Sequence, residues 1–352
     1  MRIAYLVPEF PGQTHIFFWR EIKVLSRIGV ETHVVSTRRP PKAIISHLWA
    51  EAAQANTFYL AEIGVREALH LCIEFLKLGP SSWWRAFSSA ADACPPKKLF
   101  FNLLLIFFAM RLVVFMRASK LTHVHSHSCG DAALITMLAN RLDGISYSLT
   151  LHGDLGDYGR QQNVKFRHAA FAITITNRLC SQLCEQLLDD APKTVAVAPM
   201  GVDPNVFKRD LDYIPWKGLG PLRIFSCGRL NFIKGHQELI QAVSILRRSG
   251  IDARLEIAGE DDLGGIGYRK DLETLIHDLD LDDSVSLLGA VSEQRVLEGS
   301  CAAHLFVLAS HREPLGVAIM EALSCGTPVV ATNRGGVPEL IDHGKDGFLL
   351  LQ

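Results

Sequence analysis

The chain alternates short runs of consecutive apolar residues with longer stretches in which apolar residues recur every three or four positions. The first pattern is typical of buried parallel strands and the second of amphipathic helices. Their repeated alternation predicts parallel sheets with helices on both faces. The expected strands are Arg2–Val7, Val30–Ser36, Thr122–Ser126, Tyr147–Leu151, Ala170–Thr176, Thr194–Ala198, Leu222–Cys227, Ala253–Ala258, Val285–Leu288, Leu305–Leu308 and Val329–Thr332.

Helical periodicity and one turn-rich interruption predict the domain organisation. The pattern pauses from Pro199 to Pro221 and then restarts with a new strand, which indicates a linker. We therefore expect an α/β protein with domains at residues 1–200 and 221–352, joined by a linker at 201–220. Two Rossmann-like domains facing across a cleft follow, with ligands beyond the carboxyl ends of the strands. The expected helices include Phe17–Arg27, Asp131–Arg141, Gln237–Arg248, Arg269–Leu279 and Leu315–Cys325.

One segment, Leu99–Met116, is apolar over nearly the length of a short membrane span. Asn102 and Arg111 interrupt it, so we expect most of it to be a core helix and not a full span. Residues 81–120 contain six basic residues and one acidic residue, an excess of five positive charges. A basic, Phe-rich helix also suits an anionic membrane surface, and this alternative stays open.

Composition narrows the class of protein. The 352 residues are 48% apolar and 21% charged, as in ordinary globular proteins. The net charge of −1 provides no global attraction to nucleic acid, so any polyanion site must be local. The eight cysteines include no C-x-x-C pair, and Cys180 and Cys184 lack the second pair of a zinc site. The apolar run at the N-terminus is too short for a signal peptide, which predicts a cytoplasmic protein.

The first candidate for ligand chemistry follows the strand Leu222–Cys227. Gly228, Arg229, Lys234 and Gly235 lie in the next turn. Glycine permits close backbone approach, while a guanidinium fork and an ammonium group together suit a diphosphate. The spacing is neither that of a Walker loop nor that of a dinucleotide fingerprint.

A second candidate follows the strand Leu305–Leu308. Pro314 suits the first position of a helix, which places Glu313 at its entrance beside the amides of Leu315 and Gly316, a geometry that can hold phosphate. Glu321 lies within the apolar part of this helix, where a carboxylate needs hydroxyl partners such as those of a ribose. Both carboxylates also fit a structural reading, as a helix-entrance acid and a solvated helix residue.

A third turn, at Gly335 and Gly336 after the strand Val329–Thr332, adds backbone amides at the same strand ends. Three phosphate-capable turns in one domain predict a nucleotide diphosphate as ligand.

These motifs together resemble the donor-binding domain of retaining GT-B glycosyltransferases, specifically glycosyltransferase family 4. In the first half, the resemblance is to exopolysaccharide and colanic-acid type members, so it covers almost the whole chain. The motifs that carry it are Gly228-Arg-Leu with Lys234-Gly235, the pair Glu313 and Glu321, Gly326-Thr-Pro-Val-Val-Ala-Thr with Gly335-Gly-Val-Pro-Glu, Pro8-Glu-Phe-Pro-Gly-Gln-Thr-His-Ile with Arg20-Glu-Ile, His123-Val-His-Ser-His, and Thr150-Leu-His-Gly-Asp.

The resemblance implies a role for each candidate of the second domain. Arg229 and Lys234 would neutralise the diphosphate leaving group, electrostatic stabilisation where charge develops. Glu321 would bind the ribose hydroxyls. Glu313, with Gly316, would face the donor sugar.

Two candidates of the first domain also receive roles from the resemblance. His152 would contact the donor sugar near its anomeric carbon, and Gly12, in the turn Gly12–Thr14, would approach the phosphate or the acceptor.

The activity that the resemblance implies is transfer of a sugar, with retained configuration, from a UDP- or GDP-sugar to a polysaccharide or lipid-linked acceptor at the cytoplasmic face of a membrane. No permanently bound cofactor and no metal are expected. The alternative is a non-catalytic protein of the same fold that binds a glycan or a nucleotide sugar. Because the family continues with further helices, we also expect the second domain to be incomplete at Gln352.

Other polar motifs are assigned structural positions. His125 and His127 alternate on one strand without a third ligand, so we interpret them as cleft-lining or strand-end residues and not as a metal site. Asp278 and Asp280 have the D-x-D form but end a helix, where they are expected to face solvent. The glycine-rich stretch Gly259–Gly267 is acidic and would repel phosphate, which predicts a loop, and a position near the nucleotide base is one interpretation of it.

Overall fold

A computed structural model describes residues 1–12, 16–41, 47–93, 99–159 and 161–351. These residues form two compact units. The first contains Met1–Phe10, Ile22–Arg39 and Ala52–Pro199, and the second contains Pro11–Glu21, Pro40–Glu51 and Met200–Gln352.

The first unit is built on a seven-stranded sheet in which every pairing is parallel. Its spatial order is β3-β2-β1-β4-β5-β6-β7. The seven strands are β1 (Arg2–Glu9), β2 (Glu31–Arg38), β3 (Phe58–Tyr59), β4 (His123–His127), β5 (Ser146–Leu151), β6 (Phe171–Thr174) and β7 (Val195–Val197).

The second unit is built on a six-stranded parallel sheet in the order β10-β9-β8-β11-β12-β13. Two parallel-sheet α/β units therefore confirm the fold class. The strands are β8 (Leu222–Cys227), β9 (Ala253–Ala258), β10 (Val285–Gly289), β11 (Leu305–Leu308), β12 (Val329–Thr332) and β13 (Gly347–Leu350).

Twelve helices accompany the strands in the described parts of the chain. They are α1 (Ile16–Arg27), α2 (Ala50–Ala55), α3 (Val65–Lys77), α4 (Pro80–Asp92), α5 (Leu99–Ala118), α6 (Asp131–Asp143), α7 (Gln162–Phe166), α8 (Asn177–Leu187), α9 (His236–Arg248), α10 (Tyr268–Asp278), α11 (Glu293–Ala302) and α12 (Val317–Ser324).

Helix α12 is shorter than the sequence predicts. Pro314 and Leu315 precede it, and Gly316, at φ 104°, is its N-cap. A left-handed residue cannot continue a right-handed helix, so the helix starts at Val317 and not at Pro314. Its end is as expected, because Gly326 adopts φ 67° and its N–H donates to Leu323 O.

The apolar helix α5 is partly buried in the core and partly exposed at the surface. Phe100–Ala118 is long and apolar enough to cross a membrane by length and composition, yet about half of this segment is buried. Its C-terminal part packs in the core around Met110, Leu112 and Val113. Arg111 is buried and pairs with Glu67, at 2.7 Å between Nε and Oε1.

The segment at 201–220 contains no helix or strand among the described residues and packs on the second unit. The Phe207 side chain is fully buried, and Ser324 Oγ donates to its carbonyl at 2.6 Å. Arg209 donates to Cys301 O, to Cys325 O at 3.1 Å and to Thr327 Oγ1 at 2.9 Å. These bonds hold the segment beneath α11 and α12.

Candidate active site

The candidate donor site lies at the carboxyl ends of the second sheet. Turns leave β8, β9, β11 and β12 at this edge because the strands are parallel. Three glycines bring the turns into backbone contact. A Cβ atom would lie 2.0 Å from Ala309 O at Gly235, 2.0 Å from Gly228 O at Gly259 and 1.9 Å from Glu313 O at Gly335. Only glycine fits these contacts.

Lys234 and Glu313 form the centre of this site. Lys234 Nζ donates to Glu313 Oε2 at 2.6 Å, and the buried Ser310 donates to the same oxygen at 3.0 Å. Glu313 is 6% exposed, so its carboxylate is held on a fixed side of the turn. A cation and a carboxylate therefore meet at the ends of the adjacent strands β8 and β11.

Arg229 lies on the more exposed side of the site. Its Nη1 is 3.2 Å from Asp262 Oδ1. Both side chains are accessible, with 37% of Arg229 and 64% of Asp262 exposed. The two cations expected to bind a diphosphate are thus each paired with a carboxylate.

Glu321 has an ionic partner that the sequence did not indicate. Its Oε1 accepts from Arg20 Nη2 at 2.6 Å, and the same nitrogen donates to Glu293 Oε1 at 2.6 Å. Arg20 belongs to the segment that groups with the second unit. Burial raises the pKa of Glu321, while the Arg20 guanidinium opposes that rise. The buried position matches the sequence analysis, and the solvated-helix alternative is excluded.

Two predicted amide sites differ in the structure. Leu315 and Gly316 precede α12 and are not in its first turn. At the third turn, the Gly336 N–H donates to Glu313 O at 2.9 Å. That amide therefore links the two turns and is not an open phosphate donor.

In the acidic glycine-rich loop, the backbone N–H groups bind a carboxylate of the loop itself. The Asp261 carboxylate accepts from the backbone N–H groups of four residues, Leu263, Gly265, Gly267 and Arg269, at 2.9 to 3.1 Å. A carboxylate surrounded in this way leaves those amides unavailable to phosphate. Gly259–Gly267 is accordingly a loop, as expected.

In the first unit, the histidines of β4 interact with hydroxyl groups of β5. Ser148 Oγ lies between His123 Nε2 at 2.8 Å and His125 Nδ1 at 2.7 Å, and His125 Nε2 is 2.8 Å from Thr150 Oγ1. Burial lowers the pKa of His125 to about 3. His125 is thus a neutral core residue in this unit.

His152 follows β5 in the first unit. Its Nε2 lies 2.9 Å from His127 Nδ1, a buried ring whose pKa is lowered well below the ordinary value, chiefly by desolvation. Gly12 is buried and groups with the second unit. Thr14, the end of the turn predicted at Gly12–Thr14, lies outside the described residues.

The D-x-D motif formed by Asp278 and Asp280 is exposed, as predicted. Asp278 ends α10, and Asp280 adopts φ 54° in the following turn.

The residues that sequence reasoning missed are Arg20, Glu293 and Ser310. Arg20 was part of the resemblance but received no role, because no local pattern connects it to a carboxylate 301 positions away.

The fold is shared with solved glycosyltransferases. The structure superposes on Anabaena HepE in complex with UDP-glucose with a TM-score of 0.72, covering 100% of this chain and 85% of that chain at 18% identity. The sucrose-phosphate synthase of Thermosynechococcus elongatus gives a TM-score of 0.70 over 100% of this chain and 86% of that chain, also at 18% identity. At these identities, the likeness establishes the fold.

Sequence comparison finds similarity to glycosyltransferases in the second domain. Residues 216–352 match the family model for glycosyl transferases group 1. D-inositol 3-phosphate glycosyltransferase of Pseudarthrobacter chlorophenolicus is 36% identical over 166 residues, 44% of this chain, and this match spans 38% of the relative's length. The amylovoran biosynthesis glycosyltransferase AmsK of Erwinia amylovora is 35% identical, also over 44% of this chain and 38% of its own length.

A longer match covers both units. The putative colanic acid biosynthesis glycosyltransferase WcaL of Salmonella typhimurium is 24% identical over 99% of this chain and 87% of its own length.

Proposed function

We propose that the protein is a retaining, metal-independent glycosyltransferase that moves a sugar from a UDP- or GDP-sugar to a polysaccharide or lipid-linked acceptor. The observation that carries the proposal is the Lys234–Glu313 pair, at 2.6 Å, held at the carboxyl edge of the second sheet beside Arg229 and Gly228. Relatives named for colanic acid and amylovoran biosynthesis support the choice of a polysaccharide pathway.

In this proposal, the two cations act on the leaving group. Arg229 and Lys234 stabilise the negative charge that develops on the diphosphate as the bond to the sugar breaks. Lys234 has three N–H donors, so it can bind a phosphate oxygen while it keeps its bond to Glu313. Arg229 must exchange Asp262 for the phosphate. The sheet edge positions both groups before the donor arrives, which lowers the reorganisation that binding requires.

The two carboxylates act on hydroxyl groups. Glu313 Oε2 is occupied by Lys234 and Ser310, and we assign its other oxygen to a hydroxyl of the donor sugar. Glu321 Oε1 is occupied by Arg20, and we assign its other oxygen to the ribose. Neither carboxylate is assigned as a nucleophile. In a front-face reaction, the leaving phosphate takes the proton of the acceptor hydroxyl and configuration is retained.

The experiment uses the full chain with UDP-glucose, UDP-galactose and GDP-mannose, a membrane extract as acceptor source, and assays with and without EDTA. We expect release of one nucleotide diphosphate, unchanged by EDTA, a product with the anomeric configuration of the donor by NMR, and loss of release in Lys234→Ala. Binding of a nucleotide sugar without release would favour the non-catalytic alternative. Inversion of configuration or abolition by EDTA would contradict the corresponding part of the proposal. His152→Ala tests separately the role that the resemblance gives His152.

We also propose that the protein acts at the cytoplasmic face of a membrane, through exposed apolar residues of the first unit. Helix α3 has an outward apolar stripe at i, i+4, i+8 and i+11, formed by Val65, Leu69, Ile73 and Leu76, which are 81%, 63%, 53% and 64% exposed. Trp84 on α4 and Phe100 on α5 are 75% and 76% exposed. Exposed aromatic and aliphatic groups of this kind favour insertion at the lipid interface.

The positive charge that residues 81–120 can present to a membrane is smaller than the sequence predicts. Arg111 is buried against Glu67, and Arg117 pairs with Asp143. Lys97 and Lys98 lie outside the described residues. The proposed attachment therefore rests mainly on apolar contact, with the two lysines as the electrostatic part.

Flotation with liposomes of neutral lipid, or of neutral lipid with an anionic lipid, tests this attachment. Leu69→Glu with Ile73→Glu should reduce flotation on both, while Lys97→Glu with Lys98→Glu should reduce it on anionic liposomes only. Ile245→Glu, at a 66% exposed position of α9, is the control. Equal flotation of the α3 variant and the control would overturn the proposal.

A further inference from the structure

Arg20 connects two carboxylates of the second unit. It lies on helix α1, in the part of that helix that groups with this unit. Its Nη2 donates at 2.6 Å to Glu293 Oε1, at the start of α11, and at 2.6 Å to Glu321 Oε1, on α12. Because one nitrogen serves both carboxylates, the position of the Glu321 carboxylate depends on that of the Arg20 side chain.

Two further contacts hold the Arg20 guanidinium. Its Nε donates to Glu293 Oε1 at 3.1 Å, and its central carbon lies 5.0 Å from the centroid of the Phe207 ring, which is a cation–π contact. Phe207 is fully buried, and only 15% of the Arg20 side chain is exposed. These contacts fix the planar guanidinium independently of Glu321.

The arrangement leaves one carboxylate oxygen of Glu321 for a ligand. Oε1 accepts from Arg20, whereas Oε2 has no hydrogen-bond partner in the described part of the chain and is not buried from solvent. An ionised carboxylate acts only as an acceptor, so Oε2 suits a hydroxyl group. Since both oxygens belong to one rigid group, the bond at Oε1 determines the direction in which Oε2 points.

We propose that Arg20 is a positioning residue for nucleotide binding: its bond to Glu321 Oε1 orients Oε2 toward a ribose hydroxyl, and Glu293 holds Arg20 in place. The inference rests on the proposed function, which assigns Glu321 to the ribose. It adds that recognition of the ribose depends on two residues that do not themselves contact the nucleotide.

Glu293 separates this role from simple charge compensation. Burial raises the pKa of Glu321, and the negative charge of Glu293 adds to that rise. If Arg20 only compensated the charge of Glu321, Glu293→Ala would leave ribose binding unchanged or strengthen it, because it removes a repelling carboxylate. If Arg20 positions Glu321, the same change releases the guanidinium and weakens ribose recognition. The two roles therefore predict different outcomes for one variant.

Isothermal titration of the full chain with UDP, GDP and their 2′,3′-dideoxy analogues measures ribose recognition as a ratio of dissociation constants. We expect the unchanged protein to prefer a ribonucleotide by about tenfold or more, as for a hydrogen bond to a charged group, and Glu321→Ala to lose this preference. Arg20→Ala and Glu293→Ala should reduce it to about threefold or less, and Arg20→Lys should recover part of the loss in Arg20→Ala. Arg27→Ala, at an exposed arginine of the same helix, is the matched control.

Pyrophosphate binding shows whether a variant keeps the rest of the site. Its affinity should be the same in the Arg20, Glu293 and Arg27 variants as in the unchanged protein, because the proposed diphosphate contacts are made by Arg229 and Lys234. Urea unfolding reports whether each variant folds. Glu293→Ala is the variant expected to fold most readily, since 30% of the Glu293 side chain is exposed.

The outcomes distinguish the inference from the proposed function. A ribose preference that Glu321→Ala removes but Arg20→Ala and Glu293→Ala leave unchanged would overturn the inference alone. Equal binding of the ribonucleotides and the dideoxy analogues would overturn the inference together with the assignment of Glu321 to the ribose. Absence of binding of UDP, GDP and pyrophosphate to the unchanged protein would contradict the proposed function, and the inference with it.

Discussion

Lys234 Nζ and Glu313 Oε2 are 2.6 Å apart, although 79 positions separate them in the chain. The pair joins the turns after β8 and β11 and places a positive and a negative charge at the same strand ends. If Lys234 binds the diphosphate, Lys234→Ala should weaken UDP binding by about tenfold or more, and Lys234→Arg should recover part of the loss. Isothermal titration with UDP measures both.

The Glu313→Gln variant tests whether Glu313 and Lys234 have different roles in UDP binding and in transfer. It removes a negative charge beside the proposed phosphate site, so UDP affinity should be retained or increased while transfer falls. Lys345→Ala, at a lysine with 77% of its side chain exposed, is the control. Similar losses of UDP affinity in Glu313→Gln and Lys234→Ala would show that the pair is structural.

In the proposed function, Asp262 competes with the donor phosphate for Arg229. Because their ion pair is exposed, it contributes little to stability. Asp262→Asn should therefore increase UDP affinity by about two- to fivefold at low salt, with a smaller gain at high salt because of screening. Asp282→Asn, at a carboxylate with 63% of its side chain exposed, is the comparison. Unchanged UDP affinity in Asp262→Asn would exclude competition.

Arg20 compensates the charge of the buried Glu321. Arg20→Ala should lower the free energy of unfolding by about 3 kcal/mol, because removal of one partner leaves an uncompensated buried carboxylate. The pKa of Glu321 should rise further, so the loss should be larger at pH 8 than at pH 5. Urea unfolding at both values measures it. Adding Glu321→Gln should restore part of the stability, and an additive double variant would disprove the coupling.

Gly335 and Gly344 provide a matched pair of glycines. Both have positive φ, 62° and 78°, but a Cβ atom would lie 1.9 Å from Glu313 O at Gly335 and meets nothing within 4 Å at Gly344. Gly344→Ala should cost about 1–2 kcal/mol of stability, from backbone strain alone. Gly335→Ala should cost more and should also weaken UDP binding, because Glu313 must move. Equal effects on unfolding and UDP binding would show that the contact is unimportant.

His125 links stability to pH. Its pKa is about 3 in the folded protein and near 6.5 when exposed, so the folded state favours the neutral ring. The stabilisation is complete above pH 6.5 and is lost as the pH falls toward 3. At pH 5 the loss amounts to about 2 kcal/mol relative to pH 7. His125→Gln should flatten this dependence in thermal unfolding, and His277→Gln, at an exposed histidine, should not.

The strands were predictable because continuous apolar runs are the signature of buried parallel strands. All eleven expected strands are present, and four of them agree to the residue, namely Leu222–Cys227, Ala253–Ala258, Leu305–Leu308 and Val329–Thr332. The two-residue strand Phe58–Tyr59 is too short to produce a pattern. The start of α12 was misplaced, because the preference of proline for a first helical turn was outweighed by the left-handed conformation of Gly316.

The charged contacts of the site were predictable only in part. Lys234 and Glu313 follow strands that a parallel sheet brings together, so their proximity follows from topology. Arg20 reaches Glu321 through tertiary packing, for which the sequence contains no local signal.

The exposed stripe on α3 was also missed, because an apolar periodicity gives the spacing of a helix face but not whether that face is turned inward or outward.

The Asp261 carboxylate belongs to the loop after β9 and accepts hydrogen bonds from the backbone amides of that same loop. Four amides that would otherwise need water or a ligand are satisfied within a few residues. The loop can therefore reach its final shape before any nucleotide is present, and binding does not bear the entropic cost of ordering it. Asp262, the next residue, lies in this loop where it meets Arg229. Asp261 therefore also fixes the carboxylate that, in the proposed function, a diphosphate must displace from Arg229.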